Sequence, residues 1–214
     1  MFITFEGIEG CGKTTQMRRL KDGLRAYGVP FVSTLEPGGT EIGKKVRQIL
    51  LDSGNRNLTP LAELLLYSAD RAQHVEEVIR PALEQGKWLI CDRYFDATVA
   101  YQGSARGQDI GLIQFLNGKV TGGISPDITF LLDCPVEIGL SRALKRNEEQ
   151  ESKGQDRFEK EKIAFHQKVR KAYLDLAKEY PKRFAVIDAT MDVEDVEKEI
   201  FKHIKPFLDL QVPR

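Results

Sequence analysis

The stretch Gly7-Ile8-Glu9-Gly10-Cys11-Gly12-Lys13-Thr14-Thr15 satisfies the pattern G-x-x-x-x-G-K-[ST]. Glycines let the backbone curl so that successive N–H groups point inward and form an anion nest. A helix starting near Lys13 adds the positive end of its dipole. Lys13 brings a full charge suited to the β- and γ-phosphates of a nucleoside triphosphate. Thr14 offers a hydroxyl to Mg²⁺. The motif also has its required context, with an apolar run before it and a helical pattern after it.

A P-loop does not name a reaction, because switches, motors and kinases all carry it. The chain contains no Asn-Lys pair and so lacks the NKxD guanine reader of G-proteins. A kinase needs a second reactant site, and candidates exist. "LICDRYFDATVAYQG" (89–103) ends an apolar run in Asp92-Arg93-Tyr94. Asp92 is suited to hold water on Mg²⁺ or to orient an acceptor phosphate. Arg93 presents a planar fork for phosphate oxygens. "YSADRAQH" (67–74) puts Tyr67 and Arg71 four residues apart on one helix face. A ring there can stack on a base while Arg71 donates to a carbonyl. "EPGGT" (36–40) follows the second apolar run and places Glu36 and Pro37 in a loop that either walls a pocket or merely turns the chain.

These residues need elements to hold them. Apolar runs at 2–5, 30–35, 87–92, 128–133 and 184–188 predict buried strands. Helical patterns occupy roughly 13–27, 41–51, 60–85, 108–118, 136–149, 157–179 and 193–208. The alternation predicts an α/β fold with five parallel strands and helices on both faces. No linker separates domains, so one domain over 1–214 is expected. The polar segment 146–162 stands apart and reads as a charged connection between helices.

Composition narrows the partners. Hydrophobic residues make up 41% and charged residues 30% of the 214. The 32 basic and 32 acidic residues cancel, which argues against broad nucleic-acid or membrane binding. Cys11, Cys91 and Cys134 form no CxxC and no even set, so neither a disulfide framework nor a zinc site is expected. No long apolar run predicts a membrane span, and "MFITFEGIEG" lacks the pattern of a signal peptide. The cytoplasm is the expected compartment.

Taken in order, "FEGIEGCGKTT", "EPGGTEIG", "LLLYSADRAQH", "DRYFDATVAYQG", "LLDCP", "DRFE" and "IDA" resemble the thymidylate kinase family of the bacterial type over nearly the whole chain. "EPGGT" and the "DRY…AYQG" segment are specific to that family. The resemblance implies a P-loop kinase fold with a short lid at about 146–157. It implies transfer of the γ-phosphoryl group of ATP to dTMP with Mg²⁺, a homodimer packed through helices, and a step in making DNA precursors. It assigns Lys13 and Thr14 to ATP and Mg²⁺, and Glu9 to the neighbourhood of the sugar 3′-OH. Arg93, assisted by Arg47, falls to the dTMP phosphate, Tyr67 to stacking on thymine and Arg71 to its carbonyl. Thr98, Tyr101 and Gln102 fall to the base pocket, and Arg142 to stacking on adenine.

Three departures accompany the match: Leu35 stands where Arg is usual, Ala97 where Ser is usual, and "NEEQESKGQ" where arginines often occur. Gly10 also occupies a P-loop position that is basic in some relatives, so another cation must reach the moving phosphoryl group. Arg142, Lys145 and Arg146 share one helix face. Arg146 and Arg157 are the expected catalytic lid cations, with Lys153 a weaker candidate. Two rival readings remain at this level: a kinase for another nucleotide or nucleoside, and a P-loop switch that hydrolyses ATP without an acceptor.

Overall fold

Alternate residues of the first and third strands serve two separate cores. Ile3, Phe5, Trp88 and Ile90 join one cluster with Met17, Leu20 and Leu24, while Phe2, Leu89 and Cys91 join another with Val75, Ile79 and Ala82. That period of two with both faces apolar is what a sheet covered on both sides requires. The computed structural model describes residues 1–149 and 156–209.

The strands are β1 (Phe2–Glu6), β2 (Phe31–Leu35), β3 (Trp88–Asp92), β4 (Ile128–Asp133) and β5 (Phe184–Asp188). They form one parallel sheet in the order β2-β3-β1-β4-β5. The helices are α1 (Lys13–Ala26), α2 (Glu41–Leu51), α3 (Pro60–His74), α4 (Arg80–Glu84), α5 (Phe95–Thr98), α6 (Ile110–Thr121), α7 (Val136–Glu149), α8 (Ile163–Glu179) and α9 (Val193–Asp209). Among the described residues no helix is long and apolar enough to cross a membrane.

The expected strands all form within a residue or so of their predicted ends. The helical reading needs correction at three places. The segment after β3, where no helix is expected from the sequence, is α5 followed by a π-helical turn at Val99–Ala105. A π turn is wider than an α turn, so its apolar residues keep no 3.6 period. A second π-helical segment, Val75–Ile79, interrupts the helix expected over 60–85 and joins α3 to α4. The helix expected from 157 starts at Ile163. Residues 157–161 turn instead, because Arg157 donates to Leu50 O at 2.7 Å and Phe158 packs edge-on against Tyr101.

Candidate active site

A cleft of about 840 Å³ opens across the carboxyl ends of the strands, where open α/β sheets bind ligands. Glu9 through Thr15, Glu36, Pro37, Arg47, Tyr67, Arg71, Asp92, Arg93, Thr98, Tyr101, Gln102, Arg142 and Arg146 all line it. Gly7, Ile8 and Arg157 do not. Residues 150–155 of the expected lid, including Lys153, lie outside the described residues.

The P-loop end is built by close backbone approach. Gly7 has φ 133°, and a Cβ there would sit 2.5 Å from Leu132 O. Gly10 has φ 70°, and a Cβ there would sit 1.9 Å from Gly139 O in α7. The first turn of α7 therefore rests on the loop, and no side chain fits at position 10. Lys13 Nζ donates to Ile8 O at 3.0 Å and Gly7 O at 3.2 Å, which holds the ammonium over the loop. Beyond the loop, Arg142 donates to Ala189 O at 3.1 Å, and Gln16 ties α1 to Val193 O at 2.9 Å. Ala189, Met191 and Val193 add an apolar strip beside Arg142.

At the centre lies Arg93. It has φ 66°, unusual for a residue with a Cβ. Its Nη1 donates to Gly7 O at 2.9 Å and to Tyr173 Oη at 3.1 Å, and its Nη2 donates to Glu9 Oε1 at 3.0 Å. The Tyr101 ring lies beneath it, 4.9 Å from centroid to guanidinium. Glu9 also accepts from Tyr101 Oη at 2.6 Å and faces His166 Nδ1 at 3.3 Å. Burial alone raises the Glu9 carboxyl, but His166, Arg93, Lys13 and Tyr101 together hold it down at about 2.

The far end holds the aromatic and the second arginine. Tyr67 and Arg71 leave α3 on the same side, as their spacing predicts. Arg71 donates to Glu36 Oε2 at 2.8 Å, Asn117 Oδ1 at 3.0 Å and Tyr94 O at 3.2 Å. Glu36 in turn accepts from buried His74, 2.8 Å away. The "EPGGT" segment is therefore a pocket wall, pinned to α3 through Arg71 and His74. Pro37 O accepts from Arg47 Nη1 at 2.8 Å, which turns Arg47 toward the cleft. Thr98 Oγ1 is buried without a partner among the described residues beside this end. Gln102 Nε2 donates to Glu63 Oε1 at 2.7 Å. Leu35 and Ala97, the two departures, both line the cleft.

Of the lid cations, Arg146 lines the cleft and lies 3.6 Å from Glu159, while Arg157 pairs with buried Glu63. Lys145, on the same helix, is exposed and outside the cleft lining. Sequence reasoning missed Glu6, Glu63, His74, His166 and Tyr173, all buried and all bonded or close to site residues. For Glu6 and Glu63 the signal was an ionisable residue inside an apolar stretch, "FITFE" and "LAELLL".

The site fits an Mg²⁺ bound mainly by phosphate and water. Asp92 Oδ1 is buried without a partner among the described residues, and Thr14 is exposed in the same cleft. Among the described residues no group of three or more His, Cys, Asp or Glu could hold a metal by itself. Magnesium sites of nucleotide enzymes take only one or two protein ligands.

Comparison with known proteins is consistent across sequence and structure. The thymidylate kinase family model matches residues 5–200. A thymidylate kinase of Citrifermentans bemidjiense is 58% identical over 192 residues, covering 90% of this chain and 85% of the relative. One of Desulfosudis oleivorans is 51% identical over all of both chains, 214 residues. The crystal structure of thymidylate kinase from Ehrlichia chaffeensis superposes with a TM-score of 0.76 at 37% identity, covering 95% of this chain and 98% of that one.

Proposed function

The chain belongs to the thymidylate kinase family, and on that premise we propose that this cleft transfers the γ-phosphoryl group of ATP to the phosphate of dTMP, giving ADP and dTDP. The observation that carries the reading is the convergence of two reactant ends in one cleft. A P-loop lies at one end, the Tyr67–Arg71 pair at the other, and Arg93 stands between them.

ATP lays its phosphates on the amides of residues 10–15, with Lys13 released from its loop carbonyls to the β- and γ-oxygens. Its adenine lies between Arg142 and the strip of Ala189, Met191 and Val193. The thymine stacks on Tyr67 and its carbonyl accepts from Arg71. Thr98, Tyr101 and Gln102 line the same pocket. Arg93 and Arg47 hold the acceptor phosphate, and Glu9 lies near the sugar. Phosphoryl transfer depends on placement and charge neutralisation, and these residues supply both. Thr14 and Asp92 would hold Mg²⁺, which supplies charge neutralisation on the phosphate oxygens when bound. Gly10 contributes no cation, so Arg146 is placed over the moving phosphoryl group. Arg157 anchors the end of the lid segment to Glu63.

The chain acts as one kinase domain over 1–214, in the cytoplasm, as a homodimer. The dimer reading rests on exposed apolar side chains of neighbouring helices: Ile42 and Ile49 on α2, Leu61 and Leu65 on α3, and Leu112 and Phe115 on α6. No nucleic-acid or membrane partner is assigned. The test is ADP release from ATP with and without dTMP. Release that requires dTMP, with dTDP formed one for one, is expected. Equal release without an acceptor would favour a switch.

A further inference from the structure

Arg93 has five N–H donors on a flat fork. Three are taken inside the protein: two on Nη1, by Gly7 O and Tyr173 Oη, and one on Nη2, by Glu9 Oε1. Among the described residues the remaining two are the Nε–H and the second Nη2–H, and Nε and Nη2 flank one edge of the fork. That edge is the one that meets two oxygens of a phosphate at once. What selects it is the set of acceptors on the opposite side.

Tyr173 can accept from Arg93 only if its own proton goes elsewhere. It donates to Glu6 Oε2 at 2.6 Å. The other oxygen of Glu6 accepts the Tyr94 backbone N–H at 2.8 Å, in the peptide that follows Arg93. The Arg93 N–H donates to Phe5 O at 3.0 Å. One fully buried carboxylate thus grips Arg93 at two places: the peptide after it directly, and the guanidinium through Tyr173. The positive φ at Arg93 makes the grip necessary, since a residue with a Cβ leaves that region unless neighbours hold it.

We propose that Tyr173, oriented by Glu6, is a positioning residue that presents the Nε/Nη2 edge of Arg93 to the acceptor phosphate. Neither residue reaches the substrate. The inference rests on the reading that Arg93 binds that phosphate. Tyr173 lies on α8, far along the chain from the P-loop and from "DRY", so it couples a distant helix to the transfer geometry.

Tyr173→Phe tests this, because the ring keeps its packing on Tyr101 and only the hydroxyl is lost. kcat/KM for dTMP should fall roughly tenfold, about 1.4 kcal/mol, with the KM for ATP unchanged. Thymidine has the base and sugar but no phosphate. As a competitive inhibitor it should bind the variant as it binds the parent. In an Arg93→Ala background, Tyr173→Phe should cost nothing further. Full turnover by Tyr173→Phe, while Arg93→Ala is impaired, overturns the inference and leaves the phosphate reading standing. Weakened thymidine binding, or an additive loss in the double variant, overturns it as well. Arg93→Ala turning over like the parent overturns the phosphate reading itself.

Discussion

In the proposed reaction Arg93 is the residue on which the transfer geometry turns. Its guanidinium is held by Gly7 O, Tyr173 and Glu9, and among the described residues its Nε–H and one Nη2–H have no partner. Removing it leaves the acceptor phosphate unplaced and its charge uncompensated. Arg93→Ala should lose on the order of 10²-fold in kcat/KM, about 3 kcal/mol. Steady-state kinetics with dTMP varied checks this, and near-normal values would remove Arg93 from the site. At this scale the sequence was informative about residues that line the cleft. Lys13, Asp92, Arg93, Tyr67 and Arg71 were legible because each motif carries a chemistry. The residues behind them were not. Glu6, His74 and His166 act through contacts spanning from 38 to 167 positions in the chain, and no local spacing reveals those.

At the scale of elements, the strand ends and the helix α3 do most of the placing. The strands were legible because a parallel sheet buried on both faces needs continuous apolar runs. The helix after β3 was not, since its π turn breaks the period on which helix reading depends. Helix α7 has a second task, which Gly10 and Gly139 make possible. Its first turn rests on the P-loop, so the helix leads away from that loop and carries Arg142 and Arg146 along the cleft. Arg146→Ala should therefore lower kcat while dTMP affinity is kept. Arg157→Ala should instead weaken dTMP binding, because Arg157 secures Glu63, the partner of Gln102. Titration calorimetry with dTMP, beside turnover rates, separates the two. If the double variant turns over like the parent, the lid supplies no cation to the reaction.

For the molecule as a whole, the catalytic scaffold carries a pH dependence. Burial, reinforced by Asp96, pushes the Glu6 carboxyl up from 4.5 to about 7, against Arg93 and the bonds from Tyr173 and Tyr94. The raised value means that folding takes up a proton at Glu6 between the unfolded and folded pKa. Its contribution is fully present below pH about 4.5 and is lost as pH rises through about 7. The loss amounts to about 3 kcal/mol at most. Glu6→Gln removes it, so the Tm difference between Glu6→Gln and parent should move in favour of the variant from pH 5 to pH 8. Parallel Tm profiles would show that Glu6 ionises in the fold as it does in the unfolded chain. The proposed base pocket bears most directly on the central claim. Stacking on Tyr67 tolerates any flat ring, whereas Arg71 needs an acceptor and would face a donor on cytosine. The fit to the thymine methyl adds only about 1–2 kcal/mol over uracil. The deciding measurement is kcat/KM with ATP across dTMP, dUMP, dCMP, AMP, GMP and thymidine, with diphosphate products counted. The account predicts dTMP first, dUMP behind it by roughly 5- to 30-fold, and dCMP, the purine nucleotides and thymidine far below. Equal use of dCMP, or ATP turnover indifferent to the acceptor, would contradict it.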